Sequence, residues 1–210
     1  RASVIGAMVE TINQVKPKII ILENVKGFRS IEDGKPMKDL VAILEKQYNV
    51  NVSIYNTKKY GLPQNRERIY FVGIRKDLQK KDFVKPKEVK MKPLTDIVDA
   101  SLIGSEPHKQ HDKIETVKRS SSVKYNIINI AFLNFNKSSQ KDFSPTLMTV
   151  LPPYIYELNR TFTVKELLQL QGFPKNFKVV VGKPQIVKQI GNSMSVCVVK
   201  EILKECLKCI

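Results

Sequence analysis

A carboxylate follows an apolar run near the start of the chain. Ile19 to Leu22 are consecutive large apolar residues, and Glu23 comes directly after them. A short apolar run of this kind predicts a strand that is buried on both faces of a parallel sheet. Ligands bind such sheets at the carboxyl ends of the strands, so Glu23 is a candidate for acid–base work on a bound ligand. The alternative is an ordinary strand that ends in a solvated glutamate.

An amide and two guanidinium groups form a second candidate cluster. Gln64, Arg66 and Arg68 lie at alternate positions of Gly61–Arg68, just before the apolar run Ile69–Ile74. Alternate side chains of an extended segment share one side, so these three groups would face the same cleft. Each guanidinium is a permanently charged, planar fork suited to holding a polar ligand. The alternative is a solvated run of charges that leads into a strand.

The composition favours a polyanionic partner. The 210 residues include 36 Lys or Arg and 20 Asp or Glu, which gives a formal net charge of +16 and a pI of about 9.7. Such an excess suits nucleic acid, although an anionic membrane surface would be served equally well. No apolar run approaches the roughly 18 residues of a membrane-spanning helix. Because no signal peptide is evident either, we expect a cytoplasmic protein.

The cysteines lie together in the final segment of the chain. Apolar periodicity predicts a last helix over about Ser195–Leu207, with Leu203 and Cys206 on its inner face. Cys206 and Cys209 form a single C-x-x-C pair, which favours two buried thiols over a zinc or redox site. The odd count of three cysteines fits a reducing, cytoplasmic compartment.

Helix and strand patterns alternate over the first part of the chain. The apolar periodicity predicts helices over Ser3–Val15 and from Pro36 to Leu44. A buried strand is predicted over Ile69–Ile74, and the alternation of Val50, Val52 and Ile54 predicts a strand nearer a sheet edge. This order is typical of an α/β domain.

The middle of the chain differs in its composition and in its apolar periodicity. Arg75–Lys141 carries 15 Lys or Arg against 8 Asp or Glu, and it contains long polar stretches such as Gly104–Asn126. Helical periodicity is restricted to Leu94–Ala100, and short strands are predicted at Ile127–Leu133 and Thr146–Leu151. These features indicate a small, loop-rich inserted domain.

Regular structure returns near residue 163. Thr163 and Glu166 have the spacing of a capping box, in which each side chain bonds the backbone amide of the other residue. Gly172 is placed to end the helix that they begin. Further along, Gly191–Ser193 predicts a turn that could offer amides and short polar side chains to a ligand.

Four segments resemble motifs of the cytosine-5 DNA methyltransferase family. They are ENV at Glu23–Val25, PQNRER at Pro63–Arg68, RTFTVKELLQLQGFP at Arg160–Pro174 and QIGNSMSVCV at Gln189–Val198. The segments occur in the family's order, and the last two are long and specific.

The resemblance implies an α/β fold, in which part of a Rossmann-like methyltransferase sheet carries an inserted small, loop-rich target recognition domain. Residues 1–84 would form the second part of the catalytic domain, and residues 85–159 the target recognition domain. Residues 160–210 would return to the catalytic domain and include the final cofactor-side helix.

The resemblance also assigns catalytic roles. The family methylates carbon 5 of a cytosine that is flipped out of duplex DNA, after a Cys thiolate has added to carbon 6. Glu23 matches the glutamate that contacts ring nitrogen 3 and the exocyclic amine, and a raised pKa of this carboxyl would suit that task. Arg68 matches the arginine that holds the cytosine carbonyl oxygen, and Arg66 matches the one that positions the glutamate.

Cofactor and nucleic-acid contacts follow from the same matches. Asn192 and Ser193 match residues that approach S-adenosylmethionine, the implied cofactor. Gln64, Thr146 and Arg160 are the candidates for nucleic-acid binding, with Thr146 matching a threonine near a phosphate of the target nucleotide. Arg160 begins the segment that ties the small domain to the catalytic one. Because a Thr-Leu pair is a short motif, the alternative for Thr146 is a β-forming residue in a strand. No metal is implied.

Two family elements do not occur in these residues: the Pro-Cys nucleophile motif and the Gly-rich cofactor loop. We therefore expect the chain to be inactive alone and to need two partners, double-stranded DNA and an upstream catalytic segment of the same protein or a separate subunit; no membrane partner is expected. The leading hypothesis is part of a DNA cytosine-5 methyltransferase of a restriction–modification system. The alternatives are a catalytically inactive DNA-recognition or regulatory module and an RNA cytosine-5 methyltransferase.

Overall fold

The computed structural model describes residues 2–104, 108–133 and 138–210, and the side chains from Ile5 onward. Parts of the predicted domains 1–84 and 85–159 and of the polar stretch Gly104–Asn126 therefore lie outside the described residues. The α-helices are α1 (Ala2–Val15), α2 (Lys35–Leu44), α3 (His111–Glu115), α4 (Val164–Gln171), α5 (Lys183–Asn192) and α6 (Val196–Leu207).

Short strands outnumber long ones. The strands are β1 (Ile19–Val25), β2 (Tyr48–Asn56), β3 (Gln64–Asn65), β4 (Glu67–Arg75), β5 (Asn126–Ile128), β6 (Gln140–Lys141), β7 (Ser144–Pro145), β8 (Tyr154–Ile155) and β9 (Arg160–Thr161). Short 3₁₀ helices cover Lys26–Arg29, Ile31–Gly34, Thr57–Lys59, Leu94–Asp96, Ile130–Phe132 and Tyr156–Leu158.

The chain divides into two compact units. The first contains the described residues of 1–55, 67–87 and 199–210, and the second contains those of 56–66 and 88–198. Residues 160–198, which the sequence analysis grouped with the final catalytic segment, thus belong to the same unit as residues 88–159.

The first unit is built on a three-stranded sheet in the order β1–β4–β2. β1 and β4 run antiparallel, with Ile19 opposite Ile74 and Val25 opposite Arg68. The prediction that the apolar run before Glu23 lies in a parallel sheet and is buried on both faces was wrong. β4 holds the centre of this sheet, and most side chains of β1 are only half-buried. An apolar run reports burial, but it does not report the direction of the neighbouring strand.

Helices and the predicted edge strand complete the core of the first unit. α2 carries Pro at its start and buries Leu40 and Leu44, as its periodicity predicted. Phe28 packs edge-on against Phe71 of β4, with ring centroids 6.1 Å apart. The alternating apolar residues of β2 pack on this core from the last position of the sheet order, which confirms the prediction of an edge strand.

Small sheets organise the second unit. β6, β5, β8 and β9 form one sheet in that order, and β3 pairs in parallel with β7, with Gln64 opposite Ser144. The predicted strand over Ile127–Leu133 is shorter than expected, because β5 ends at Ile128 and a 3₁₀ helix follows. The predicted strand over Thr146–Leu151 was wrong. The pairing with β3 instead ends at Pro145, which has no N–H to continue a ladder.

The sequence predicted both ends of α4, but it did not predict the end of α5. The capping box at α4 is present, with Thr163 N donating to Glu166 Oε2 at 2.7 Å and Glu166 N to Thr163 Oγ1 at 3.3 Å. Gly172 ends α4 in the left-handed conformation, at φ 89°. The turn predicted at Gly191–Ser193 was wrong for its first two residues, because Gly191 and Asn192 are the last residues of α5.

The final helix buries Ile202 and Cys206 completely. The prediction of two buried thiols is confirmed, since Cys209 is also buried. Leu203, predicted to face inward, is 40% exposed.

Candidate active site

Glu23 and Arg68 meet at the end of the β1–β4 ladder. Arg68 lies opposite Val25, so it is the diagonal neighbour of Glu23 on the same face of the antiparallel pair. The Nε atom of Arg68 lies 3.1 Å from Oε1 of Glu23. The two side chains are 15% and 14% exposed, respectively. The pair is therefore largely shielded from water but still open to a ligand.

An aromatic wall adjoins this pair in the first unit. Tyr70 lies directly opposite Glu23 in the register and is 1% exposed. Its ring contacts that of Tyr55 edge to face, with centroids 5.3 Å apart. A low-dielectric wall of this kind strengthens electrostatic interactions near the carboxylate.

Glu67, the residue before Arg68, takes part in a second ion pair, which is exposed. Glu67 directs its carboxylate to Lys26, with Oε2 2.9 Å from Nζ, and both side chains are about half exposed. The backbone carbonyl of Glu67 accepts a hydrogen bond from Nη1 of Arg68 at 2.8 Å. This bond helps to orient the guanidinium along the strand.

Arg66 belongs to the second unit and holds a backbone carbonyl there. Its side chain is 2% exposed, and Nη2 donates to the carbonyl oxygen of Ser193 at 2.9 Å. Its own carbonyl accepts from the amide of Thr57 at 3.0 Å. The structure thus ties Arg66 to the residue that follows α5.

Gln64 is completely buried in the second unit. Its Nε2 donates to the carbonyl oxygen of Leu170 at 2.8 Å and to Oε1 of Gln171 at 2.7 Å, and its Oε1 accepts from the amide of Leu147 at 3.4 Å. A direct contact of this side chain with nucleic acid would require these buried hydrogen bonds to break. The geometry gives Gln64 an internal structural role.

Thr146 and Arg160, the other two candidates for nucleic-acid binding, also make internal contacts. Thr146 Oγ1 donates to the carbonyl of Asn65 at 2.8 Å. The Arg160 guanidinium donates to both carboxylate oxygens of Glu166, at 2.9 and 2.8 Å, and to the backbone carbonyls of Leu102 and Asp99 at 2.6 and 2.8 Å. Arg160 therefore joins residues 99–102 to the start of α4.

Burial and hydrogen bonding oppose one another at Glu166. Burial alone would raise the pKa of this carboxyl, but hydrogen bonds from Arg160 and from the amides of Thr163 and Asp99 outweigh burial and lower the pKa. Glu166 is consequently held as a carboxylate.

The candidate cofactor residues lie at the end of α5. Asn192 is exposed, and with Gln185, Lys188, Gln189 and Ser193 it lines a cavity of about 450 Å³. The hydroxyl of Ser193 donates to the carbonyl of Ile190 at 2.8 Å. Asn192 thus offers its amide to solvent, whereas Ser193 is engaged within the protein.

Gln171 is a buried polar residue that contacts a candidate cofactor residue, and it was not singled out from the sequence. It is completely buried, and its Nε2 donates to the carbonyl of Ser193 at 2.7 Å. Its burial could have been predicted from the sequence, because Gln171 lies four positions after Leu167 and therefore on the same, buried face of α4. A polar residue at such a position needs hydrogen-bond partners inside the protein.

The described residues contain neither a cluster of metal-binding side chains nor a membrane-spanning helix. No group of three or more His, Cys, Asp or Glu residues there could hold a metal ion. In the same part of the chain, no helix has the length and apolar character needed to cross a membrane.

Comparison with solved structures shows the fold. A mutant DNMT2 from Spodoptera frugiperda aligns with a TM-score of 0.65 at 21% identity, covering 95% of this chain and 70% of that one. The Dnmt2 methyltransferase of S. pombe aligns with a TM-score of 0.61 at 19% identity, covering 97% and 71%. The mixed α/β structure is therefore that of a Rossmann-like methyltransferase, as expected.

Comparison with sequences shows the family. The chain is 30% identical to the type II methyltransferase M1.ScrFI of Lactococcus lactis subsp. cremoris, over 99% of this chain and 56% of that protein. It is 34% identical to M.HaeII of Haemophilus aegyptius, over 89% of this chain and 60% of that protein. The chain thus spans little more than half the length of these relatives. A family model for C-5 cytosine-specific DNA methylases matches residues 1–208, and the chain belongs to that family.

Proposed function

We propose that this chain takes part in methyl transfer from S-adenosylmethionine to carbon 5 of a flipped cytosine in duplex DNA, within a restriction–modification system. The observation that carries the proposal is the shielded pair of Glu23 and Arg68 at the end of two paired strands. Relatives described as type II methyltransferases and the net charge of +16 support it.

The pair suits the electronic demand of the reaction. When a thiolate adds to carbon 6 of cytosine, negative charge develops on the ring and must be neutralised. A protonated Glu23 can donate to ring nitrogen 3 while its other oxygen accepts from the exocyclic amine. The positive guanidinium of Arg68 can donate to the ring carbonyl oxygen, where charge also accumulates. After methylation, a base removes the proton on carbon 5 and the thiolate leaves.

Asn192 is the described residue that fits the cofactor best. S-adenosylmethionine supplies an electrophilic methyl group when it is bound. The exposed amide of Asn192 and the cation of Lys188 border the cavity at the end of α5, and they suit the polar and carboxylate groups of an amino-acid moiety. We propose that Asn192 and the backbone of Ser193 form one side of the cofactor site.

We propose further that a polypeptide segment outside this sequence supplies the nucleophile. Burial raises the pKa of the Cys206 thiol to about 12 and also raises the pKa of Cys209, so neither is a ready thiolate at neutral pH. None of the three cysteines follows a proline, as the family's nucleophile does. On this proposal the chain alone transfers no methyl groups.

Reconstitution tests this proposal. The chain, a polypeptide carrying the Pro-Cys motif from the same gene or a neighbouring one, and their mixture would each be given S-adenosylmethionine with a tritiated methyl group. Duplex DNA and tRNA would serve as acceptors. We expect incorporation into duplex DNA by the mixture only, and its loss when the chain carries Glu23→Ala.

Other results would redirect the assignment. A mixture that binds duplex DNA but never transfers a methyl group would contradict the catalytic proposal and favour a recognition module. Incorporation into tRNA in place of DNA would favour an RNA methyltransferase.

A further inference from the structure

We propose that Gln171 is a positioning residue that holds the cofactor-side residues Asn192 and Ser193 in place through the Ser193 carbonyl. The inference deepens the proposed function and rests on it, because the cofactor role of these two residues comes from the family resemblance. It is carried by a buried chain of hydrogen bonds within the second unit.

The Gln171 amide has a defined orientation. Its Oε1 accepts from Nε2 of Gln64 at 2.7 Å, so its NH₂ group faces the other way. That group donates to the carbonyl of Ser193 at 2.7 Å and approaches the carbonyl of Ile190 at 3.5 Å. Both glutamine side chains are completely buried, so water does not compete for these bonds.

The Ser193 carbonyl is where two buried donors converge. Nη2 of Arg66 donates to it at 2.9 Å, in addition to the bond from Gln171. A carbonyl oxygen has two lone pairs and can accept both. The carbonyl follows the C-terminus of α5, where the helix dipole adds negative charge that favours the cationic donor.

The end of α5 is also tightly packed against a second segment. A Cβ atom added to Gly191 would lie 2.6 Å from the carbonyl oxygen of Met148, so the helix end rests directly on that backbone. The end of α5 is therefore held both by its packing on the 148–149 backbone and by the two donors to Ser193. Without the Gln171 donor, one of these constraints is lost, and the adjacent Asn192 would no longer be held in a single position.

This arrangement predicts a specific kinetic signature. A residue that positions a binding surface acts equally on the ground state and the transition state, so its loss raises KM and leaves kcat unchanged. The loss of one buried hydrogen bond that orients the site should weaken cofactor binding about 10-fold.

The test uses the reconstituted enzyme with Gln171→Met, which keeps the side-chain length but removes the donor. Gln169→Met is the matched control, since Gln169 lies on the same helix and is partly exposed. We expect Gln171→Met to raise the Kd and KM for S-adenosylmethionine about 10-fold, with kcat at saturating cofactor and KM for DNA within about twofold of wild type. Gln169→Met should change none of these quantities.

A second variant separates positioning from packing. Gln171→Glu keeps the shape of the side chain and its acceptor for Gln64, but at alkaline pH the ionised carboxylate has no donor for Ser193. It should weaken cofactor binding in the same way as Gln171→Met, and it remains informative if Gln171→Met does not fold.

Two outcomes would overturn the inference. If both Gln171 variants lower thermal stability while cofactor Kd stays at the wild-type value, Gln171 is a packing residue only. If kcat falls and cofactor KM does not rise, the residue acts on chemistry instead. Failure of the proposed function looks different, because wild-type enzyme would then transfer no methyl group to DNA, and Glu23→Ala would change nothing. A wild-type assembly that binds no cofactor would overturn both.

Discussion

Two arginine–carboxylate pairs of this protein, one in each unit, are built differently. In the second unit, the Glu166 carboxylate accepts five hydrogen bonds: two from Arg160, two from Thr163 and one from the amide of Asp99. In the first unit, Glu23 meets the Nε atom of Arg68 at 3.1 Å at the end of a strand pair. Glu166 is 3% exposed as a side chain, against 14% for Glu23.

These differences in contacts and exposure suit the two pairs to different tasks. A carboxylate with five donors is fixed as an anion, because every lone pair is engaged and protonation would break several bonds. Such a group can join segments of a fold but cannot exchange a proton with a ligand. A carboxylate that is more exposed and lies beside a guanidinium at the end of a strand can turn to a ligand. We expect the first kind of pair to control stability and the second to control activity.

Arg160→Ala should give the largest change in stability. It leaves the Glu166 charge buried without its strongest partner, which typically costs about 3–5 kcal/mol. Urea unfolding of the chain measures this. A free energy of unfolding within about 1 kcal/mol of wild type would show that the pair is not structural.

Arg68→Lys should lower methyl transfer by about 100-fold, because a single ammonium does not reproduce the fork that steadies both Glu23 and the ring oxygen. The measurement is the rate of tritium incorporation by the reconstituted enzyme. Arg75→Lys, the same substitution at the other end of β4, is the control and should retain the wild-type rate. An Arg68→Lys enzyme that matches this control would remove Arg68 from the site.

The lowered pKa of Glu166 predicts how stability depends on pH. A carboxyl whose pKa is lower in the folded state than its ordinary value of 4.5 contributes stability that is fully present above pH 4.5. That contribution is lost as the pH falls through the folded-state pKa. Glu166→Gln should therefore be less stable than wild type at neutral pH, and the difference should shrink in acid. A difference that is constant across pH would contradict this account.

Lys204→Ala should give the smallest change. Lys204 pairs with Glu201 at 2.7 Å on the exposed side of α6, where its side chain is 53% exposed. Such exposed pairs contribute about 0.5 kcal/mol or less. A loss above about 1 kcal/mol in urea unfolding would show that exposure does not separate the pairs in the way proposed here.

Local signals were the predictable part of the fold. The start of α4 at Thr163 and its end at Gly172 follow from side chains within the same few residues, so the sequence located both. The same holds for α2, with its early proline and buried leucines. Strand direction was not predictable, because the antiparallel pairing of β1 with β4 depends on residues about 50 positions apart.

The helix α5 and the buried contacts of Gln171 were not predicted from the sequence. α5 has a proline at its start and buries Ile186, Val187 and Ile190 at helical spacing, but the Gly-Asn-Ser sequence at its end suggested a turn. Gln171 lies on the buried face of α4, with Leu167 and Leu168. Its partner Gln64 is 107 positions away in the chain, and no local pattern identifies such a pair.

The role of Glu23 can be tested by the methyl-transfer rate of the reconstituted enzyme with Glu23→Gln, measured beside Glu67→Gln. Both glutamates belong to the β1–β4 pair, but Glu67 is exposed and pairs with Lys26. If Glu23 serves the cytosine, Glu23→Gln should lower the rate by about 10²–10⁴-fold, while Glu67→Gln retains the wild-type rate and both stay equally stable. Equal rates for the two variants would contradict the assignment of this strand end as the active site.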